Sequence, residues 1–159
     1  MLLLFSSKVY KTQICLVFMA LEKVVSKLEG EVLECVDVDL VPELQDLEDS
    51  QTLGFYSNNG DLLGYVAYSV LDFLFGEPKS LKLQLAKSYR EGNGVFRELF
   101  SNLKDIAKDN ECKRILLQVF DSNTNAIEIY EHYGFKYTGR DFVDEDSRTV
   151  LEMALSLRR

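Results

Sequence analysis

The stretch from Ser80 to Phe120 constrains the fold more than any other, because its hydrophobic period changes twice within it. In "SLKLQLAKSY" the residues Leu81, Leu83 and Leu85 alternate with polar neighbours, the two-residue period of a strand with one inward face. "REGNG" follows. Then Phe96, Leu99, Phe100, Leu103, Ile106 and Ala107 recur at the spacing of a single helix face. After a stop at Asp109-Asn110, "RILLQVF" is short, continuous and apolar, which suits a central strand covered on both sides. Strand, glycine turn, helix and covered strand in this order predict a sheet with helices packed against it.

The remaining pattern extends that frame. "MLLLF" predicts a short edge strand, and Ile14, Phe18, Leu21, Val25 and Leu28 predict an amphipathic helix from Thr12 that ends at Gly30. Glu31 to Leu40 alternates as a strand, and "DLVPELQDLEDS" carries an Asp cap candidate and a proline near a helix start. Asn59-Gly60 lies between two runs of aromatic and branched residues, the strongest short-range hairpin signal. "FKYTGR" and "TVLEMALSL" predict two closing strands around the acidic "DFVDEDS". The last of these, apolar and terminal, would be able to pair with a second copy as a homodimer. No repeat, linker or boundary divides the chain, so residues 1–159 are expected to form a single α/β (α+β) domain.

Composition narrows the partners. The formal charge of −8 argues against nucleic-acid binding, which needs a concentrated basic surface for phosphate recognition. It agrees with a small cationic partner, and equally with a surface that only keeps the protein dispersed. "MLLLF" has no basic segment before it and breaks after five residues, so neither a signal peptide nor a membrane span is expected and a cytoplasmic location follows. Cys15, Cys35 and Cys112 are odd in number and lack C-x-x-C spacing, which predicts buried reduced thiols and no metal.

Two stretches go beyond fold. Gly92 and Gly94 stand at a strand-to-helix turn, where glycine lets the backbone approach a ligand and the following helix N-terminus favours an anion such as phosphate. Neither the third glycine of a dinucleotide fingerprint nor the Gly-Lys-Ser/Thr of a P-loop is present. In "SNTNAIEIYEHYGF", Ser122, Thr124 and Asn125 can cap a helix and Gly134 can close it. Capping gives no reason for Tyr130.

From about Leu53 onward the chain resembles the GNAT superfamily of acetyl-CoA-dependent N-acetyltransferases. "LKLQLAKSYREGNGVFRELF" is similar to that family's fourth strand, pyrophosphate loop and following helix, with Gly94 and Phe96 at the positions of its two small residues. "SNTNAIEIYEHYGF" is similar to N-x-x-A-x-x-x-Y-x-x-x-G-F at Asn123, Ala126, Tyr130, Gly134 and Phe135. The resemblance implies a mixed, mostly antiparallel sheet of six to seven strands with helices on both faces, splayed between the family's fourth and fifth strands. It also implies transfer of an acetyl group from acetyl-CoA to a primary amine of a small molecule or protein, by direct attack through a tetrahedral intermediate.

The site residues follow from the same resemblance. Backbone groups from Leu83 through Leu85 to Lys87 would take the thioester and pantetheine. Arg90, Glu91, Gly92, Asn93, Gly94, Val95 and Phe96 would hold the pyrophosphate. Asn123 would lie beside the pantetheine arm, and Tyr130 would return a proton to the thiolate. The family's acidic base in its fourth strand is replaced here by Lys82 or Gln84, and Glu34 and Asp72 are candidates by character only. His132 lies two residues after Tyr130 and points to another side of its helix. Asp141, Asp144, Glu145 and Asp146 would attract a polyamine or another cationic acceptor, or form a solvated turn. A second reading keeps the frame without catalysis, as a regulatory or interaction domain.

Overall fold

Asn59-Gly60 turns the chain as its sequence requires. Gly60 adopts φ +85°, and the N–H groups of Gly60 and Ser57 donate to Ser57 O and Asp61 O at 2.9 Å each. Strand β3 (Gln51–Ser57) therefore leads straight into β4 (Leu62–Leu71). The computed structural model describes residues 2–4, 30–34, 36, 41–47, 49–72, 76–90 and 94–158. Within them β5 (Ser80–Ser88), α1 (Val95–Asp109), β6 (Arg114–Phe120), α2 (Thr124–His132), β7 (Lys136–Val143) and β8 (Thr149–Ser156) follow in order. Upstream lie β1 (Leu2–Leu4), β2 (Gly30–Glu34) and a short 3-10 turn at Pro42–Asp46.

The main sheet runs β2-β3-β4-β5-β6-β8-β7, with β1 attached to β5 off that path. Every pairing is antiparallel except β5 with β6, which α1 joins as a crossover. α1 buries Phe96, Leu99, Phe100, Leu103 and Ala107, with Ile106 half-buried beside them, so the helix face read from spacing is the one that packs. Fully burying a side chain such as Leu99 or Leu103 contributes about 1.5–3 kcal/mol. Asn110 ends α1, its N–H and Nδ2 both donating to Ile106 O at 3.0 and 2.8 Å. α2 packs against α1 through Phe100, whose ring meets Tyr133 edge-on at 4.8 Å and lies 6.3 Å from Tyr130.

Several expectations are corrected. β8 lies between β6 and β7, so its edges are already paired and it offers none to a second copy. The turn at Pro42 has Val41 as its N-cap with no side-chain cap bond, not an aspartate. The strand expected from Glu31 to Leu40 is described as Gly30–Glu34, and the helix expected from Thr12 lies outside the described residues. Among the described residues no helix is long and apolar enough to cross a membrane.

Two further departures shape the middle of the sheet. Leu81 and Leu83 oppose Val70 and Tyr68, whereas Leu85 opposes Ala67, so the register slips at Gln84. That bulge puts Leu85 on the opposite face from Leu81 and Leu83, although all three are buried. β1 forms as the expected short strand with a single strand partner, but not at the outer rim of the main sheet. β4 pairs along the whole of β5, so β1, paired Leu2↔Lys87 through Leu4↔Leu85, must use the other edge, beside β6.

Candidate active site

β5 and β6 pair only at Ser80↔Arg114, Leu81↔Ile115 and Lys82↔Leu116. Beyond that point each is held elsewhere, β5 by β4 and β6 by β8, and the two strands part. A V-shaped cleft opens from Leu83 onward. Its closed end is clamped by Arg114, which donates to Ser80 Oγ at 3.0 Å and to Glu77 at 2.8 Å, while Arg140 reaches the other oxygen of Glu77 at 2.5 Å. The bonds from Arg140 and then Arg114 hold the Glu77 carboxyl below its usual pKa. Beside the clamp lies a cavity of about 400 Å³ that reaches Leu116 and Glu152.

The bulge sits at the crotch of the V. Gln84 Nε2 donates to Ser69 Oγ at 3.2 Å, which places its side chain on the same face as Lys82. Its Oε1 is buried and has no hydrogen-bond partner among the described residues. Burial pushes the Lys82 ammonium pKa down, partly opposed by the charge of Glu152. Gln118 on β6 opposes Glu152 on β8, and both share this face.

Leu83 and Leu85 are fully buried, and Lys87 is half-buried with its Nζ 3.9 Å from Glu43 and 4.7 Å from the centre of the Tyr89 ring. Pairing with β1 covers the cleft edge of β5 at Leu85–Lys87, so among the described residues Leu83 and Gln84 are the part of that edge without a strand partner. At the mouth, Ser88 Oγ donates to the carbonyl of Arg90 at 3.0 Å, and the Arg90 side chain is exposed. Glu91, Gly92 and Asn93 lie outside the described residues. Gly94 stands at the N-cap of α1 with φ +78° and no side-chain cap bond. Val95 and Phe96 direct their side chains into the core, with Phe96 stacked on Phe100 at 5.5 Å, so the ring stays out of the loop mouth.

The Asn-rich motif builds α2 as its spacing implies. Asn123 Oδ1 accepts from Ala126 N–H at 3.4 Å as the N-cap. Gly134 takes φ +97°, and Phe135 N–H then donates to Tyr130 O at 2.9 Å. Tyr130 has no exposed surface, its ring meets Phe135 edge-on at 5.5 Å, and burial raises the phenol pKa well above normal. His132 is exposed on the far side of α2.

The acidic loop is tied together around Arg148, while Glu145 is exposed. Asp144 bonds Arg148 Nε at 2.9 Å and accepts from two backbone N–H groups, Asp146 pairs with Arg148 at 3.2 Å, and Asp141 accepts from the Tyr137 hydroxyl. Asp72 pairs with Lys79 at 3.8 Å, and Glu34 is exposed at the far end of the sheet. Cys112 is buried as a free thiol, while Cys15 and Cys35 lie outside the described residues. Sequence reasoning missed Glu152, the one carboxylate among the buried described residues, which accepts from Thr138 Oγ1 at 3.0 Å. Nothing in "LEMALSL" marks it, because its burial depends on β8 being interior.

Residues 21–135 match the acetyltransferase (GNAT) family. The chain is 28% identical over 110 residues to the spermine/spermidine N(1)-acetyltransferase of Bacillus subtilis (strain 168), covering 62% of this chain and 72% of that protein. A crystal structure of nourseothricin acetyltransferase superposes with TM-score 0.60 at 26% identity, over 70% of this chain and 67% of that one. A GNAT family acetyltransferase from Elizabethkingia anophelis with acetyl-CoA bound shares the fold, with TM-score 0.61 at 11% identity over 81% and 99% of the two chains.

Proposed function

Because the chain belongs to the GNAT acetyltransferase family and so transfers an acetyl group from acetyl-CoA to an amine, we propose that its acceptor is a small polycationic primary amine of the polyamine type. Two facts support that acceptor: the formal charge of −8 and the names of the Bacillus relatives. The observation that carries the site reading is the bulge at Gln84, at the point where β6 leaves β5.

The groups on this chain fit acetyl-CoA. The backbone of Leu83 and Gln84 offers hydrogen-bonding groups to the thioester and pantetheine at the crotch, where they meet charge developing on a carbonyl oxygen. The start of α1 after Gly94, together with the loop from Arg90, is assigned to the pyrophosphate, which the positive end of the helix dipole favours. Asn123, oriented as the cap of α2, is assigned to the pantetheine arm, and Tyr130, whose phenol burial keeps protonated, is assigned the proton for the thiolate. The amine enters on the opposite face from α1 and α2, where Gln84, Gln118 and Glu152 gather. A cytoplasmic setting belongs to this reading and agrees with the free, buried Cys112.

The test is direct. Acetyl-CoA raises the melting temperature of the protein, because a ligand of the native state must do so. Spermidine then releases free CoA thiol, whereas an uncharged alcohol does not. No shift with acetyl-CoA overturns the cofactor assignment, and equal thiol release with the alcohol overturns the acceptor class.

β1 adds a measurable consequence. It occupies the edge at Leu85–Lys87 that the pantetheine would follow, so cofactor binding has to displace it. A three-residue ladder contributes on the order of 1–2 kcal/mol. Replacing both Leu3 and Leu4 with proline removes at least one ladder donor, since successive N–H groups point to opposite edges. The variant binds acetyl-CoA about tenfold more tightly by calorimetry. An unchanged dissociation constant means that β1 and the cofactor do not compete.

A further inference from the structure

The sheet leaves one side-chain oxygen unsatisfied at the place where the cleft begins. Gln84 gives its Nε2 to Ser69 Oγ at 3.2 Å on the β4 side, and its Oε1 is buried without a hydrogen-bond partner among the described residues. Nearly all buried polar atoms in folded proteins are paired with protein or ordered water, and an unpaired one calls for an explanation, a catalytic or binding role among them. The bulge that holds Gln84 is also costly to a regular ladder, and such bulges re-aim side chains beside active sites. Across the opening, Gln118 and the buried carboxylate of Glu152 share its face.

We propose that Gln84 is an acceptor-binding residue, its side-chain oxygen receiving an N–H of the incoming amine at the crotch of the cleft. This rests on the acetyl-transfer reading above and specifies which side chain meets the nucleophile. An amide oxygen takes no proton, so Gln84 holds and orients the amine without deprotonating it, and the amine reacts in its neutral form with its lone pair turned toward the carbonyl carbon. As the N–C bond forms and the C–S bond breaks, the nitrogen gives one proton to solvent and the thiolate gains one. Gln84 is unchanged throughout.

Two substitutions separate this role from a structural one, using the full chain with acetyl-CoA and spermidine. Gln84→Leu removes the unsatisfied oxygen and puts an apolar group in its place, so the unliganded protein melts at or above the wild-type temperature. The same variant keeps the wild-type acetyl-CoA shift while kcat/KM for spermidine falls about tenfold to thirtyfold. Gln84→Glu places a proton acceptor at the amine, so the acid limb of its kcat/KM profile moves to lower pH. Wild-type kcat/KM in Gln84→Leu, or activity lost only in step with its melting temperature, overturns the proposal. Wild-type protein that shows no acetyl-CoA shift overturns the enzyme reading instead, and wild-type protein that binds acetyl-CoA yet acetylates no spermidine overturns the acceptor and this assignment together.

Discussion

Tyr130→Phe lowers kcat about 100-fold while leaving the affinity for acetyl-CoA within about twofold, the loss expected when a positioned proton donor is removed. The substitution isolates the hydroxyl, because phenylalanine keeps the ring that packs on Phe135 at 5.5 Å and against Phe100 at 6.3 Å. The melting temperature therefore moves little, and a kinetic loss cannot be assigned to a loosened core. Burial raises the phenol pKa well above its ordinary value. Tyr130 accordingly stays protonated throughout the neutral and mildly alkaline range, and kcat shows no alkaline decline from its ionisation below about pH 10. Single-turnover acetylation of spermidine, compared with equilibrium binding of acetyl-CoA, reads the two quantities separately. A variant that turns over at the wild-type rate removes the proton-donor role and leaves Tyr130 as a core residue.

What was legible in the sequence follows the range of the forces involved. α1, α2 and the β3–β4 hairpin rest on contacts within a few residues, so Leu99 and Leu103, Gly134 and Asn59-Gly60 announce them by period and turn chemistry. The cap at Asn123 and the stop at Gly134 were legible for the same reason, since both are set within one helix and its ends. Long-range pairing left no such mark. β1 meets residues more than eighty positions away, and three leucines look alike at an edge or in a gap. The alternation of Leu81, Leu83 and Leu85 suggested one inward face, yet β5 is covered on both sides, so the extra residue at Gln84 changes the face without changing any residue from apolar to polar. Glu152 was hidden likewise, because only β7 docking outside β8 covers it. The elements that build the cleft were readable, and the register that gives it working side chains was not.

Gly64 links stability to the end of the cleft proposed for the cofactor. A Cβ at Gly64 would lie 2.5 Å from Val95 Cγ1 and 2.7 Å from the carbonyl oxygen of Lys87. The first collision is with the opening residue of α1 and the second with the cleft strand itself. Neither neighbour yields easily: Val95 is buried among the core residues, and Lys87 O belongs to the backbone of β5. Gly64→Ala thus costs about 2–3 kcal/mol by overpacking, a fall of roughly 5–10 °C in melting temperature for a chain of this size. Relief comes by pushing the start of α1 away from β4, which displaces the N–H groups that follow Gly94. The stabilisation conferred by acetyl-CoA therefore shrinks in Gly64→Ala along with the melting temperature, although Gly64 has no side chain to touch a ligand. Adding Val95→Ala removes the first collision and leaves the second, so the double variant recovers part of the loss, with a coupling of about 1 kcal/mol between the two sites. Strictly additive melting temperatures in that cycle would show that β4 and α1 do not bear on one another there, and that the pyrophosphate end of the cleft is positioned by the loop alone.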